Sequence, residues 1–356
     1  TTIYIMKNIS KRNIVVRLIL LLTVVSTTSF AEGKIVGGKQ SIHPDWFKES
    51  FLDIAEDVEE AAEGDRHIIL FMHLSDCPYC HKMVEDNFKN SEMSSFIQNN
   101  FDVIAINIKG DREVAFNEKL TVTEKRLAKM VKVRYTPTIL FLSKNNEIVL
   151  RINGYRSARS FAHALNFVKQ QQYKKMVFAD FIEAEQVRQQ SESESGNNDY
   201  NYKLRDHILF ENRSNLQQVA QQPLALLFED SNCDACNKLH DGHLKNPKII
   251  SELKNFKLVR LDAASTKAII DIDGNQTTAQ AYAKKLGLSY RPGIVLIDEG
   301  REIARIDGLL YSYHFREILR YVGERFYKSY PENFYDYLSV RTKELLKAGE
   351  TIDLSK

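Results

Sequence analysis

One pattern occurs twice in this chain, and it decides the architecture. Leu70-Phe71-Met72-His73-Leu74-Ser75-Asp76-Cys77-Pro78-Tyr79-Cys80 lines up with Leu226-Leu227-Phe228-Glu229-Asp230-Ser231-Asn232-Cys233-Asp234-Ala235-Cys236 at an offset of 156. Asn90 then matches Asn246, Pro137 matches Pro292, and Arg151-Ile152-Asn153-Gly154 matches Arg305-Ile306-Asp307-Gly308. The closing segments agree as well, with Phe178-Ala179-Asp180-Phe181 against Phe334-Tyr335-Asp336-Tyr337. Solenoid repeats run about 20–50 residues, so a period this long is a domain duplication. A chain of 356 residues has room for two such domains.

Composition places the boundaries. Residues 189–201 are rich in Ser, Glu, Gln and Asn and hold one apolar residue, Tyr200, so they read as a linker. The first domain is expected over residues 41–188 and the second over 202–345, with a tail at 346–356. Two units that fold independently and cycle their own cysteine pairs follow from this reading.

Within each copy the elements follow the same order. Phe47, Phe51, Ile54 and Val58 recur at helical spacing, which predicts a helix over 45–62 capped by Asp45. Residues 67–73 and 223–229 are short apolar runs expected as buried strands, each leading into a helix that starts at the first cysteine. Second strands are expected at 101–108 and 256–261. Thr121-x-x-Glu124 and Thr277-x-x-Gln280 have the capping-box spelling that opens a helix. Strand pairs at 138–142 with 147–152, and at 294–297 with 302–306, precede closing helices at 157–170 and 313–325. The order is that of an α/β fold with a mixed central sheet flanked by helices. The aromatic residues of 311–315 and 321–337 are read as the second closing helix packing on its sheet.

The N-terminus has the form of an export signal. Lys7, Lys11, Arg12 and Arg17 precede the apolar run 18–25, and Ser29-Phe30-Ala31 supplies small residues before a cut after Ala31. The run falls short of the roughly 20 residues that span a bilayer, so membrane contact is expected only through an uncleaved signal. Removing residues 1–31 takes the net charge from +2 to −2 and leaves no basic block to track a phosphate backbone, which excludes nucleic acid as a partner. An exported chain with only four cysteines, in two close pairs, carries redox-active or metal-binding dithiols rather than a disulfide scaffold.

A Cys-x-x-Cys pair where a strand meets a helix has a definite chemistry. The unpaired N–H groups and dipole at the helix start favour a thiolate on the first cysteine, below its usual pKa of about 8.5. Cys77 and Cys233 are therefore the expected nucleophiles, and Cys80 and Cys236 the resolving thiols. Pro137 and Pro292 follow at 60 and 59 residues, each just before a strand.

With these residues the sequence resembles the thioredoxin superfamily, over nearly all of residues 41–345, as two tandem thioredoxin-like domains. Cys-Pro-Tyr-Cys-His-Lys and Thr-Pro-Thr give a narrower resemblance to periplasmic thioredoxin-related proteins of the SoxW type. The resemblance implies that Pro137 and Pro292 are cis and face the dithiols. It implies that Thr136 and Arg291 line the substrate groove. Thioredoxin proper carries Trp before its first cysteine and a carboxylate six residues upstream of it. This chain has Asp76 and Asn232, then Phe71 and Leu227, at those positions. A narrower client range than thioredoxin's is implied.

The two pairs differ. Asp234 sits beside Cys233 and disfavours its thiolate, which should make that pair the more reducing, unless Arg260 or Arg291 offsets it. His81 is expected to help stabilise a thiolate at the first pair. Cys233, Cys236, His240 and His243 share a helix face but span about 15 Å, too far for one tetrahedral metal; a partial site of the two cysteines with His240 remains open. The sequence thus points to a periplasmic thiol–disulfide oxidoreductase that reduces protein disulfides, with redox-active disulfides and no other cofactor or metal. Disulfide-bearing proteins and a membrane thiol donor are its expected partners. A metal-binding thiol protein and a non-catalytic binding module are the alternatives.

Overall fold

The computed structural model describes residues 32–193, 204–230, 233–331 and 334–355. The expected signal segment and residues 194–201 of the expected linker lie outside them.

In chain order the first half contains β1 (Ile35–Val36), α1 (Ile54–Glu63), β2 (His67–His73), α2 (Pro78–Met83), α3 (Ser91–Asn100), β3 (Phe101–Asn107), β4 (Glu113–Asn117), β5 (Leu120–Thr123), α4 (Glu124–Met130), β6 (Thr138–Leu142), β7 (Ile148–Asn153), α5 (Ala158–Lys169) and α6 (Phe178–Ser193). The second half contains β8 (Leu224–Glu229), α7 (Asp234–Asp241), α8 (Pro247–Leu253), β9 (Lys257–Asp262), β10 (Ala268–Ile270), β11 (Gln276–Thr278), α9 (Ala279–Lys285), β12 (Gly293–Asp298), β13 (Arg301–Ile306), α10 (Ser312–Gly323), α11 (Phe334–Lys347) and β14 (Ile352–Asp353).

Each half is built on a four-stranded mixed sheet, ordered β3-β2-β6-β7 in the first and β9-β8-β12-β13 in the second. The central strands β2 and β8 run parallel to β3 and β9 and antiparallel to β6 and β12. They are apolar without alternation because both faces are covered. Ile69 and Phe71 join one core layer with α2, α3 and α5, while Ile68, Leu70 and Met72 join another with α1 and α4. Leu227 and Leu226 divide in the same way in the second half.

Three helix starts differ from the sequence expectation. α1 begins at Ile54 because Leu52 adopts a left-handed φ of 65°, which a helix cannot pass, and Asp53 accepts from Glu56 N–H at 3.1 Å as the cap. Phe51, expected on the apolar face, is fully exposed. The capping-box spellings fall in the β4–β5 and β10–β11 hairpins, where Thr121 pairs with Ala115 and Thr277 with Ile269. Thr123 and Thr278 cap α4 and α9 instead.

The halves touch along several elements. β1 pairs in parallel with β14, Ile35 opposite Ile352, so residues before position 41 and residues of the expected tail hold each other. Gly33 N–H donates to Leu346 O at 2.7 Å, and the Glu350 carbonyl lies where any side chain at position 33 would project. α6 continues to Ser193, through the first part of the expected linker. Arg156, 2% exposed, reaches from the first half into the second. It donates to Asp307 O at 2.8 Å, lies 3.4 Å from Asp307 Oδ2, and sits over the Tyr290 ring. Beside it the matched glycines of the repeat meet: a Cβ on Gly154 would lie 3.7 Å from Gly308 Cα.

Candidate active site: two dithiols at one interface

Both cysteine pairs sit where the sequence puts them. Each first cysteine is the N-cap of its helix, and its Sγ accepts from the N–H of the second cysteine at 3.0 Å. Sulfur thus faces the unpaired end of a helix, where negative charge is favoured. Cys77–Cys80 and Cys233–Cys236 are both disulfide-bonded. The Thr136–Pro137 and Arg291–Pro292 peptides are both cis. Thr136 Oγ1 donates to Cys77 Sγ at 3.4 Å, so the groove residue named from the sequence lies against the sulfur.

The surroundings of the two pairs differ. Cys77 is buried, and the second half of the chain covers it. Thr136 N–H donates to Tyr335 Oη at 2.9 Å, and the same hydroxyl lies 3.1 Å from Thr136 Oγ1. Tyr79, between the cysteines, accepts from Tyr311 N–H at 2.9 Å and stacks on the Tyr311 ring. Its hydroxyl lies 2.9 Å from His314 Nδ1. Burial lowers the His314 pKa to about 4, so the ring is neutral at pH 7. The space left beside Cys77 is about 110 Å³. Tyr311, His314 and Tyr335, expected to pack on their own sheet, therefore cross to the other half, whereas Tyr321 and Tyr337 do join their own core.

Cys233 instead opens on a cleft of about 1240 Å³ between the halves, lined also by Arg291, Pro292 and Asp234. Asp234 is exposed in the first turn of α7, where the helix dipole offsets part of its charge. Neither arginine suggested as a counter-charge is free. Arg260 lies 3.8 Å from Glu229 and bonds Arg205 O, and Arg291 Nε donates to Asp230 at 3.1 Å. His81 donates to Gln40 O at 3.1 Å; its hydrogen bond goes to the chain ahead of α1, not to sulfur.

Sequence reasoning missed a buried pair under the second dithiol. Glu229 and His240, each 2% exposed, meet at 2.8 Å between Oε1 and Nε2. Desolvation raises the Glu229 pKa to about 7 and lowers that of His240. His240 lies one helical turn beyond Cys236, with Nε2 on the Glu229 carboxylate. Among the described residues no group of three His, Cys, Asp or Glu side chains is placed to hold a metal ion. The matching position in the first half is His73, packed edge-on against His43 at 4.3 Å between ring centroids. Burial lowers both, His43 to about 4. The signal was present in the sequence: His73 and Glu229 are titratable residues closing otherwise apolar strands.

A family model for the thioredoxin-like domain matches residues 54–169 and 212–323. The thiol:disulfide interchange protein DsbD of Campylobacter jejuni is 23% identical over 219 residues. That match covers 61% of this chain but only 32% of DsbD, so the chain spans about a third of the length of its curated relative. A thioredoxin-fold protein from Helicobacter pylori is 21% identical and aligns over its full length with 42% of this chain, at a TM-score of 0.31. The oxidoreductase DsbH is 16% identical, with 88% of it aligned to 38% of this chain at a TM-score of 0.27. Among the described residues no helix is long and apolar enough to cross a membrane.

Proposed function

Because the chain belongs to the thioredoxin-like domain family, we propose that it is an exported, periplasmic thiol–disulfide oxidoreductase that reduces protein disulfides through Cys77–Cys80 and Cys233–Cys236. The observation that carries this reading is the repeated geometry, a cysteine sulfur capping a helix with a cis-proline peptide on the same site. The first cysteine attacks a client disulfide as its thiolate; a mixed disulfide forms and one client sulfur leaves as a thiolate that takes up a proton. The second cysteine gives up its proton and attacks the first, releasing the other client sulfur. Two electrons have then passed from the dithiol to the client, and a membrane thiol donor restores the dithiol. The basic and apolar run before Ala31 supports an exported setting, and the likeness to a thiol:disulfide interchange protein supports the exchange chemistry.

The test is the potential of each pair, measured in the full chain with the other pair replaced by serine. Values within the roughly −270 to −120 mV span of dithiol exchangers are expected. Cys80→Ser should trap a mixed disulfide at Cys77, and Cys236→Ser at Cys233. A pair that stays oxidised below about −300 mV is structural, and that result would remove the pair from the mechanism.

A further inference from the structure

Matched positions of the sequence repeat differ in size where one dithiol is covered and the other is not. In the first site Tyr79, Tyr311, His314 and Tyr335 close over Cys77 and Thr136. The positions that match them in the repeat are Ala235, Ser157, Ser160 and Ala179. All four of these small residues line the cleft that holds Cys233. The same interface is thus filled by large side chains on one side and left hollow by small ones on the other. Cavities that enclose a drug-sized ligand run about 300–1,000 Å³. The space at Cys77 falls below that range and the cleft at Cys233 lies above it.

We propose that these four matched positions set substrate choice: Cys233–Cys236 reacts with an extended, disulfide-bearing polypeptide lying in the cleft, while Cys77–Cys80 exchanges faster with small thiols and disulfides than with protein disulfides. Tyr335 is the principal specificity residue, because its hydroxyl holds the Thr136 N–H on the groove side of the cis peptide. A client strand cannot use that donor while Tyr335 occupies it. At the second site the matching residue is Ala179, with no hydroxyl to offer. The proposal rests on the oxidoreductase reading, and its chemistry is the same exchange: a client disulfide is reduced as Cys233 and Cys236 become bonded to each other.

The test uses two full-length chains, one with Cys233→Ser and Cys236→Ser, the other with Cys77→Ser and Cys80→Ser. Each is reduced, and its oxidation is timed with insulin as a protein disulfide and with hydroxyethyl disulfide as a small one. The ratio of protein rate to small-disulfide rate should be at least about tenfold higher at the second site, a factor that one or two hydrogen bonds of ordinary net strength support. Tyr335→Phe should raise the ratio at the first site and speed hydrogen exchange at the Thr136 amide. Ala179→Tyr should lower the ratio at the second site. Both variants should still exchange with hydroxyethyl disulfide, which shows that the dithiols remain folded. Equal ratios in the two parent chains, or ratios unmoved by both substitutions, would overturn the proposal. Loss of exchange with both disulfides at both sites would sink the oxidoreductase reading beneath it.

Discussion

Set side by side, the two dithiols share their strand, helix cap and cis peptide and differ in nearly everything that touches them. The first is covered by tyrosines and underlain by two neutral histidines, His43 and His73. The second faces a cleft and is underlain by Glu229 and His240. The chemistry common to both is carried by backbone geometry, which a duplication copies intact. Access and proton inventory are carried by side chains, most of them outside the Cys-x-x-Cys segments, and those have diverged. Identity of motif therefore does not mean identity of role.

The strongest way to break this contrast is to loosen the interface that creates it. Arg156→Ala leaves Asp307 buried without its cation and strands the Asp307 and Asn153 carbonyls. Removing one partner of a buried pair costs about 3–5 kcal/mol. A urea unfolding curve should show a loss of that order, and alkylation of reduced Cys77 should accelerate toward the rate at Cys233. A stability change within experimental error would show that the halves dock without this anchor.

A second measurement sharpens the difference in proton inventory. Glu229, raised to about 7, keeps its proton in the fold while the unfolded chain loses it near pH 4.5. The fold therefore loses stability from this group as pH rises from about 4.5 to 7. His240 acts in the opposite sense, since its lowered pKa adds stability as pH rises toward the ordinary histidine value of about 6.5. Glu229→Gln removes the first effect, so across that window the variant should gain stability relative to the parent by about 3 kcal/mol. Parallel pH profiles for variant and parent would show that the carboxyl titrates normally.

The smallest effect concerns the potentials. Asp234 places a carboxylate beside Cys233, where the first site has the uncharged Pro78-Tyr79. A negative charge there opposes the thiolate and favours the disulfide, so the second pair is expected to be the more reducing. Asp234→Asn should raise its potential by about 30 mV, the equivalent of 1.4 kcal/mol for two electrons. Arg260 lies against Glu229 and Arg291 donates to Asp230. An unchanged potential would mean that solvent at the cleft mouth screens the Asp234 carboxylate.

Much of this molecule was legible before any coordinates. The central strands declared themselves as short apolar runs, and the cysteine spacing located both helix starts, because local patterning fixes those features. α1 was misplaced because its start depends on a backbone turn at Leu52, which carries no marker such as glycine. The capping threonines were off by two residues in one half and one in the other, because hairpins whose strands are only three to five residues long give weak periodicity. The interface was not legible at all, since it joins Tyr79 to His314 and Thr136 to Tyr335 across long stretches of sequence. Yet the pairing of Tyr335 with Ala179 in the repeat alignment was in plain view, and read as a size difference at one place in the fold it marks where the sites part.

The meeting of Gly154 with Gly308 has a consequence for how such asymmetry arises. A residue that touches its own counterpart lies on an approximate two-fold axis, as in a symmetric dimer of identical subunits. In a true dimer every substitution appears on both sides of that axis, so a tyrosine that closes one site closes the other too. Joining the two copies in one chain lifts that coupling. Each position on the axis is then encoded twice and can change alone, and a covered dithiol and an open one become possible within a single interface.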